Sequence, residues 1–271
     1  MVNILPDIDE LVAVVRDIAA TQLMPHFGQI SRQYKADKSI VTEADLATQN
    51  ALIKELKKRW PDFEFLAEEM TAQQQEQHMA QAENGLWIVD PLDGTSNFAS
   101  GIPYFAISIA LYYKGHVRLG LVYDPNRDEA FTATDSTAST CNGHPLKPSD
   151  TPAELARAIG VIDFKRLPPE LAKKLVTQQP FSSQRSFGSV ALDWCWLAAN
   201  RFHVYLHGRS NIWDYAAGEL IFRQAGGHSC TLDGEAIFQP TVKPRSAVGA
   251  LDKDYFRQWT AFLDVVPDYK M

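Results

Sequence analysis

Two aspartates three positions apart close an apolar stretch in the sequence LWIVDPLDGTSNF, residues 86–98. Proline disfavours the helical conformation of the residue before it and presets a turn, so the strand is predicted to end at Asp90. The turn brings the carboxylates of Asp90 and Asp93 to the same side and leaves backbone carbonyls without strand partners. Gly94 permits a close backbone approach, and Thr95 offers a hydroxyl. This set of oxygen donors suits Mg²⁺ rather than Zn²⁺.

Each acidic candidate also has a structural explanation when it is taken alone. Aspartate is common in turns because its side chain bonds locally, which accounts for the D-P-L-D stretch. The adjacent acids of FLAEEM are typical of an exposed surface. Asp214 stands at a predicted helix start, where aspartate commonly serves as the N-cap. Asp45 lies three residues after Thr42, which is the spacing of a capping box.

Four stretches taken together are more specific, and they are VTEAD, FLAEEM, WIVDPLDGTSNF and IWDYAAGELIFRQAGG. Their order and spacing resemble the inositol monophosphatase family over about residues 35–230. Members of that family are Mg²⁺-dependent, lithium-sensitive phosphomonoesterases. Either D-P-x-D-G-T or W-D-x-A-A-G alone is a weak signal, but the two together are a strong one.

The resemblance implies a role for each acid. Glu68, Asp90 and the carbonyl of Leu92 would hold a first Mg²⁺. Asp90, Asp93 and Asp214 would hold a second Mg²⁺, with Asp90 bridging, and a third, weaker ion would sit near Glu68. Two ions about 3.5–4 Å apart activate a water and stabilise the leaving alkoxide. Gathered carboxylates repel each other, so the resemblance predicts a site built to hold cations.

The same resemblance assigns the catalytic and phosphate-binding groups. Thr95 would position the attacking water, and Asp45 would accept the hydrogen bond of the threonine. Glu68 would join them as a catalytic residue. Backbone amides of Gly94 and Thr95, at the start of a predicted helix, would cradle the phosphate. We therefore expect hydrolysis rather than phosphoryl transfer.

The substrate pocket departs from the family pattern. The inositol-cleaving branch carries a Glu seven residues before the W-D aspartate, and this chain has His207 there. A neutral imidazole offers fewer acceptor sites than a carboxylate, and it can protonate near pH 6–7. Alternatively, His207 is an ordinary loop residue. Gly188 and Ser189 match the stretch that lines the sugar pocket, and Lys35, with Lys38 as its competitor, matches a mobile loop.

The expected function is hydrolysis of a small phosphate monoester such as inositol 1-phosphate. Histidinol phosphate, fructose 1,6-bisphosphate and a nucleotide 3′-phosphate would use the same metals. A non-catalytic relative that binds other proteins is the alternative of another class. The intact acidic set favours the enzyme, because a binding protein has no need of it. The resemblance also implies a homodimer.

The composition excludes several other classes. The 271 residues carry a formal net charge of −7, which is unfavourable for nucleic-acid or acidic-membrane partners. Three dispersed cysteines without a CxxC pair fit a reducing cytoplasm. The first residues are acidic where a signal peptide is basic, and the longest apolar run, 104–113, is too short to span a bilayer. We expect a cytoplasmic protein.

Sequence motifs of other enzyme classes are absent. The chain contains no G-x-x-x-x-G-K-[ST], no G-x-S-x-G and no H-E-x-x-H. These absences argue against a P-loop NTPase, a serine hydrolase and a zinc peptidase.

Helices and strands alternate in the pattern, and the central strands follow one another without helices. This order favours layered sheets and helices over one doubly wound sheet. It agrees with the α+β, layered αβαβα sandwich of the inositol monophosphatase and fructose-1,6-bisphosphatase type that the resemblance implies.

We expect one domain over 1–271, with a metal- and phosphate-binding part at 1–150 and a substrate-pocket part at 151–271. The predicted helices span 7–24, 41–60, 168–176, 189–200, 213–227 and 253–264, and the predicted strands include LWIVD, FAISIALYY, VRLGLVYD, EAFTAT, AIGVID and FHVYL.

Overall fold

The structure is a computed structural model that describes residues 5–29, 33–34, 40–147 and 154–268. The helices are α1 Ile8–Ile18, α2 Glu43–Arg59, α3 Ala72–Ala80, α4 Thr95–Ala99, α5 Pro169–Gln178, α6 Val190–Ala198, α7 Ile212–Gln224 and α8 Lys253–Leu263. The strands are β1 Gln33–Tyr34, β2 Ile40–Val41, β3 Glu64–Ala67, β4 Leu86–Asp93, β5 Ala106–Tyr113, β6 His116–Asp124, β7 Glu129–Thr134, β8 Thr137–Cys141, β9 His144–Pro145, β10 Ile159–Asp163, β11 Ser183–Arg185, β12 Val204–Ser210, β13 His228–Cys230 and β14 Arg245–Ala250.

Local capping explains where several helices begin. The carboxylate of Asp7 accepts hydrogen bonds from the backbone of Asp9 and Glu10, both at 2.9 Å, and α1 starts there. Asp252 caps α8 in the same way. The last turn of the long predicted helix 7–24 changes type, because α1 continues as a π turn over Ala19–Leu23.

Two sheets carry most of the strands. The larger has the order β3-β4-β5-β6-β7-β8-β9, with β3 parallel to β4 and every other pair antiparallel. The smaller has the order β11-β10-β12-β14-β13. In it, β10 is parallel to both β11 and β12, and β14 is antiparallel to its neighbours. β1 and β2 form a separate antiparallel pair.

Three apolar clusters divide the molecule into layers. The first joins one face of the large sheet to α6, α7 and the inner face of the small sheet. The second packs α1 and α2 on the other face of the large sheet. The third packs α5 and α8 on the outer face of the small sheet. The order helix, sheet, helix, sheet, helix confirms the layered α+β fold.

Several sequence predictions differ from the structure. The strand predicted to end at Asp90 instead continues to Asp93, because β4 keeps pairing with β5 through a register shift between these residues. The short strands β8, β9, β11, β13 and β14 were not predicted. The glutamine-rich stretch 71–81 contains the helix α3. Among the described residues, none of the helices has the length and apolar character needed to cross a membrane.

Candidate active site

The end of β4 places two buried carboxylates. Asp90 is 1% exposed, and its Oδ1 accepts a hydrogen bond from the backbone N of Leu92 at 2.9 Å. Residues three apart on a regular strand point to opposite faces. The register shift between Asp90 and Asp93 breaks that alternation. Burial is the main cause that raises the pKa of Asp90, and repulsion from nearby acids, Asp93 among them, raises it further. The two carboxylates are therefore close enough to interact.

Asp93 connects this strand to the start of α6. Its Oδ2 accepts hydrogen bonds from Ser189 Oγ and from the backbone N of Ala191, both at 2.6 Å. Burial raises the pKa of Asp93 to about 6, although these hydrogen bonds oppose the shift. Ser189, expected in the sugar pocket, is fully buried and is the N-cap of α6. Its hydroxyl therefore acts on Asp93 in this structure.

Asp214 lies in the first turn of α7, at the third helical position. Its Oδ2 accepts a hydrogen bond from the backbone N of Asn211 at 2.8 Å, and the two residues form a capping box. The structural alternative for Asp214 was the N-cap itself, and this is wrong because Asn211 takes that place. The capping bond uses one carboxylate oxygen of Asp214.

Electrostatic interactions place Glu68 with these three aspartates. Burial raises the pKa of Asp90 well above its usual range, and repulsion from Glu68, Asp93 and Asp214 adds to it. Burial also raises the pKa of Asp214, followed by repulsion from Asp93 and Glu68. Glu68 is half-buried directly after β3, which is the parallel neighbour of β4. The structure thus brings the four predicted acids into one region.

The four acids do not meet at one point. In the part of the chain that the structure describes, no three Asp, Glu, His or Cys side chains converge closely enough to hold a metal ion. Carboxylates without a neutralising charge repel each other, which favours such spacing. The donor types nevertheless fit a hard divalent cation, because they are carboxylate oxygens together with the Leu92 carbonyl.

Thr95 and Asp45 are in contact beside these acids. Thr95 Oγ1 lies 3.1 Å from Asp45 Oδ1 and 3.0 Å from the carbonyl oxygen of Leu92. Asp45 Oδ2 accepts hydrogen bonds from the backbone N and the hydroxyl of Thr42. The capping box of α2 is therefore present, and the other oxygen of the same carboxylate contacts Thr95. Burial raises the pKa of Asp45 to about 6, despite the bonds from Thr42.

The backbone turns sharply between Asp93 and Thr95. Gly94 has a φ of 99°, a conformation that glycine adopts without strain, and α4 begins directly after it. A Cβ at this position would lie 3.0 Å from the carbonyl oxygen of Tyr104. The turn thus needs glycine for both conformation and space. The helix predicted to start here is a single turn of five residues.

His207 lies on β12 rather than in a loop, so the alternative of an ordinary loop residue is wrong. Its side chain is buried, and Nε2 lies 2.9 Å from Oδ2 of Asp163, its register partner on β10. Its Nδ1 accepts a hydrogen bond from the backbone N of Arg209 at 3.3 Å. With Nδ1 accepting, Nε2 is the nitrogen that donates to Asp163. Burial raises the pKa of Asp93, and His207 is the last of several groups that oppose this shift, so His207 lies on the side of the acids.

Two positioning contacts were not predicted from the sequence. Asn97 Nδ2 donates to the carbonyl oxygens of Tyr104 and Phe187, both at 2.7 Å. The Tyr104 hydroxyl donates to buried Asp193 at 2.9 Å. These hydrogen bonds connect α4 and the segment after it with α6 and the segment before it, and the latter segment carries Gly188. The asparagine in GTSNF and the lone acid in the apolar stretch VALDWCW were the available signals in the sequence.

Lys35 and its competitor Lys38, which the resemblance assigned to a loop of the site, lie outside the described residues.

Comparison with known proteins gives matches over most of the chain. The family model described as "Inositol monophosphatase family" matches residues 6–261. The Nus factor SuhB of Pasteurella multocida is 36% identical over 205 residues, which is 74% of each chain. The fructose-1,6-bisphosphatase/inositol-1-monophosphatase of Thermotoga maritima is 33% identical over 219 residues, covering 79% of this chain and 80% of that protein.

Comparison with a solved structure also gives a match over most of the chain. The crystal structure of the extragenic suppressor protein suhB from Bartonella henselae superposes with a TM-score of 0.81 at 28% identity. The match covers 94% of this chain and 97% of the other. The similarity therefore includes both sheets and the helices between them.

Proposed function

The chain belongs to the inositol monophosphatase family, and we propose that it hydrolyses small phosphate monoesters with the aid of Mg²⁺. One observation carries this proposal. Buried Asp90, Asp93 and Asp214 repel one another and Glu68 in the region next to the contact between Thr95 and Asp45. Several buried, like-charged oxygens are costly unless a cation is bound, so their joint presence supports a metal-dependent reaction.

The proposed metal ligands follow the family pattern. Glu68, Asp90 and the Leu92 carbonyl would hold one Mg²⁺, while Asp90, Asp93 and Asp214 would hold another, and a third ion near Glu68 is part of the proposal. Bound Mg²⁺ would neutralise the acids, lower the pKa of a bound water and stabilise the leaving oxygen. The hydrogen bonds from Leu92, Ser189 and Asn211 use one oxygen of each aspartate and restrict how its carboxylate turns. We propose that these bonds orient the ligands.

Thr95 and Asp45 are proposed to orient the attacking water. A threonine hydroxyl has one proton and two lone pairs. When it donates to Asp45 Oδ1, 3.1 Å away, a lone pair remains to accept a hydrogen bond from water. Asp45 is itself fixed by Thr42, so the hydroxyl direction is set before the substrate arrives. The water oxygen would attack phosphorus as the ester P–O bond breaks, and the proton that the water gives up would pass to the leaving alkoxide, which leaves inorganic phosphate and the alcohol as products.

The remaining groups would bind the substrate. We propose that the backbone amides of Gly94 and Thr95 contact the phosphate and that Gly188 contributes backbone to the pocket wall. Ser189 would act indirectly, through its hydrogen bond to Asp93. Both ring nitrogens of His207 are already bonded, so His207 would form part of the pocket wall with Asp163 and would not bind a substrate hydroxyl directly. Inositol 1-phosphate is our first candidate substrate, with histidinol phosphate, fructose 1,6-bisphosphate and a nucleotide 3′-phosphate as alternatives. The Thermotoga maritima relative carries both inositol and fructose bisphosphate activities in its name.

A phosphate-release screen tests the function. Purified protein is incubated with each of the four candidate substrates, once with MgCl₂ and once with EDTA. We expect release from at least one substrate with MgCl₂ and none with EDTA. An equal rate in both buffers would contradict the metal-dependent mechanism. No release from any of the four would count against a phosphatase of this substrate range.

A regulatory role is the second candidate, and the similarity to proteins named Nus factor SuhB favours it. Such a role would depend on a protein-binding surface rather than on the acids. Complementation of a deletion strain of the source organism distinguishes the enzymatic role from the regulatory role. Rescue by wild-type protein but not by Asp214→Asn supports the enzyme. Equal rescue by both supports the protein-binding role.

Assembly and location are further proposals. We propose a homodimer, as in the family pattern, and a cytoplasmic protein without nucleic-acid or membrane partners. The net charge of −7 and the three cysteines without paired spacing support the location and the absence of nucleic-acid and membrane partners, whereas the dimer rests on the family pattern alone. Light scattering of the purified protein measures the mass directly, and a mass of one chain would contradict the dimer.

A further inference from the structure

A second cavity, of about 500 Å³, lies where the C-terminal half of α7 meets the turn between β5 and β6 and the start of β13. Residues 236–238, between β13 and β14, complete its wall. None of the residues that line it belongs to the proposed active site. Glu219 in this wall follows Asp214 by five positions on α7, which is about 7.5 Å along the helix axis. The cavity is therefore a feature separate from the acids of the proposed active site.

Glu219 places a buried charge in this wall. Residues 212–222 of α7 are all buried, and only 5% of Glu219 is exposed. Burial raises the pKa of its carboxyl group, and Arg223 opposes this shift. A buried carboxylate is costly unless a cation or hydrogen-bond donors compensate it. A positively charged group in the cavity would therefore stabilise the ionised form of Glu219.

Arg223 compensates this charge only in part. Glu219 Oε1 lies 3.6 Å from Arg223 Nε, which is longer than an ordinary hydrogen bond. The Arg223 side chain is 53% exposed, so solvent screens its charge. An ionised carboxylate has roughly four acceptor sites. Glu219 thus retains the capacity to accept hydrogen bonds from a further cation.

The opposite part of the wall is apolar. Val117 and Ile237 are buried, and the ring of Phe238 packs on Tyr112 with the ring centroids 5.6 Å apart. His228 also lines the cavity, and burial lowers its pKa, which favours the neutral imidazole. Among the described residues that line the cavity, Glu219 and Arg223 are the two that belong to the Asp, Glu, Lys and Arg types. The cavity therefore combines one buried anion with an apolar surface.

This combination selects the class of ligand. Glu219 would repel an anion, and a sugar or other polyol would leave the apolar surface without matching contacts. An ammonium group has three N–H donors for the carboxylate. An aromatic or aliphatic part attached to it would gain from contact with Val117, Ile237 and Phe238. A small amine with an apolar part is complementary to both halves of the wall.

We propose that this cavity binds a small primary amine that carries an aromatic or aliphatic group, and that Glu219 holds its ammonium group. Arg223 then competes with the ligand for the same carboxylate, and its exposed side chain turns towards solvent when the amine binds. The inference goes beyond the proposed function, since the candidate substrates of the phosphatase are anions and bind at other residues.

NMR titration with a matched ligand pair tests the proposal. The full chain, isotope-labelled, is titrated with phenethylamine or with 2-phenylethanol, which has a hydroxyl in place of the ammonium group. Shifts of the backbone amides of Gly115 and Ser229 give the dissociation constants. We expect the amine to bind at least about tenfold more tightly than the alcohol. Glu219→Gln should reduce that ratio below about threefold. Glu170→Gln, at an exposed position of α5, is the matched control and should leave the ratio unchanged.

Arg223→Gln gives a second, opposite prediction. It removes the competing cation, so phenethylamine should bind at least about threefold more tightly, while the affinity for 2-phenylethanol should stay the same. This variant decides the matter even if Glu219→Gln does not fold. Three results would overturn the proposal: no preference for the amine, a preference that persists in Glu219→Gln, or an amine affinity that does not rise in Arg223→Gln. Phosphate release enters none of these measurements, so their outcome is independent of the proposed function.

Discussion

Asp93 has two tasks in this molecule, one for each carboxylate oxygen. Oδ2 receives hydrogen bonds from Ser189 and Ala191 at the start of α6, where the helix dipole also favours a negative charge. In our proposal Oδ1 remains for Mg²⁺. Asp45 divides its oxygens similarly between Thr42 and Thr95. The structural explanations for single acids and their proposed catalytic roles are therefore compatible.

Replacing Asp214 by Asn separates metal binding from folding. Asparagine keeps an oxygen that can accept the capping hydrogen bond from Asn211, but it removes a buried charge that Asp93 and Glu68 repel. We expect activity with MgCl₂ to fall by about 100-fold or more. The melting temperature in EDTA should stay the same or rise. Asp254→Asn, at an exposed site on α8, is the control and should leave activity unchanged. Near wild-type kcat in Asp214→Asn would remove Asp214 from the ligand set.

Thr95 gives a prediction about the hydroxyl alone. Thr95→Ala removes the group that contacts Asp45 and the Leu92 carbonyl, whereas Thr95→Ser retains it. We expect kcat to fall about 100-fold in the alanine variant with little change in KM. The serine variant should keep most of the activity. Similar kcat values for the two variants would show that the hydroxyl does not orient the water.

At the scale of elements, regular patterns were predictable and irregular ones were not. The apolar periodicity predicted α1 and α8, which each turn one stripe towards a core. The long apolar stretches predicted α6 and α7, which are buried on nearly all sides. The continuation of β4 past Pro91 depends on its pairing with β5, which no local pattern contains. The strands β13 and β14 are short and carry little alternation. Such strands form because a neighbouring strand offers hydrogen bonds.

In the proposed site, too, residues in local motifs could be predicted, whereas contacts between distant parts of the chain could not. Motifs identified Asp90, Asp93 and Asp214, because their spacing along the chain is specific. The contact of Ser189 with Asp93 was missed, since the bonded residues of this junction lie 96 to 98 positions apart in the chain. The pairing of His207 with Asp163 was missed for a similar reason: it follows from the register of two parallel strands.

The start of α6 depends on Ser189. Ser189→Ala removes the N-cap and one hydrogen bond to buried Asp93, which leaves that carboxylate oxygen with fewer donors. We expect the free energy of unfolding to fall by about 1–3 kcal/mol and the apparent affinity for Mg²⁺ to weaken. Urea unfolding in EDTA and Mg²⁺ titration measure the two effects. Ser100→Ala, at an exposed site, should change stability by about 0.5 kcal/mol or less. Equal effects of the two substitutions would contradict this role of Ser189.

At the scale of the whole molecule, the acids make stability depend on pH and on the metal. Burial raises the pKa of Asp45 and of Asp93 from 3.8 to about 6. Protonation is then more favourable in the folded state than in the unfolded state. This stabilisation is complete below about pH 4 and is lost as the pH rises through 6. Without divalent ions, we expect the melting temperature to be about 4 °C higher at pH 5.0 than at pH 7.5.

Magnesium should reverse this dependence, because it binds the ionised carboxylates. The added MgCl₂ should raise the melting temperature at pH 7.5 more than at pH 5.0. Asp93→Asn serves as the control, since it removes one of the titrating groups and should make the metal-free profile less steep. A metal-free protein that melts at the same temperature at both pH values would show that these acids are not protonated on folding.

The helices α6 and α7 lie between the two sheets, and this shared layer has a consequence for how the protein matures. Glu68, Asp90 and Asp93 come from one sheet and its strand ends, whereas Asp214 arrives later in the chain, on a helix that packs against that sheet and against α6. A nascent chain that has completed only the first sheet lacks Asp214 and the α6 cap on Asp93. If these acids bind Mg²⁺ as we propose, tight cation binding would have to wait until α7 has packed against the first sheet, so it would be a late step in the maturation of the chain.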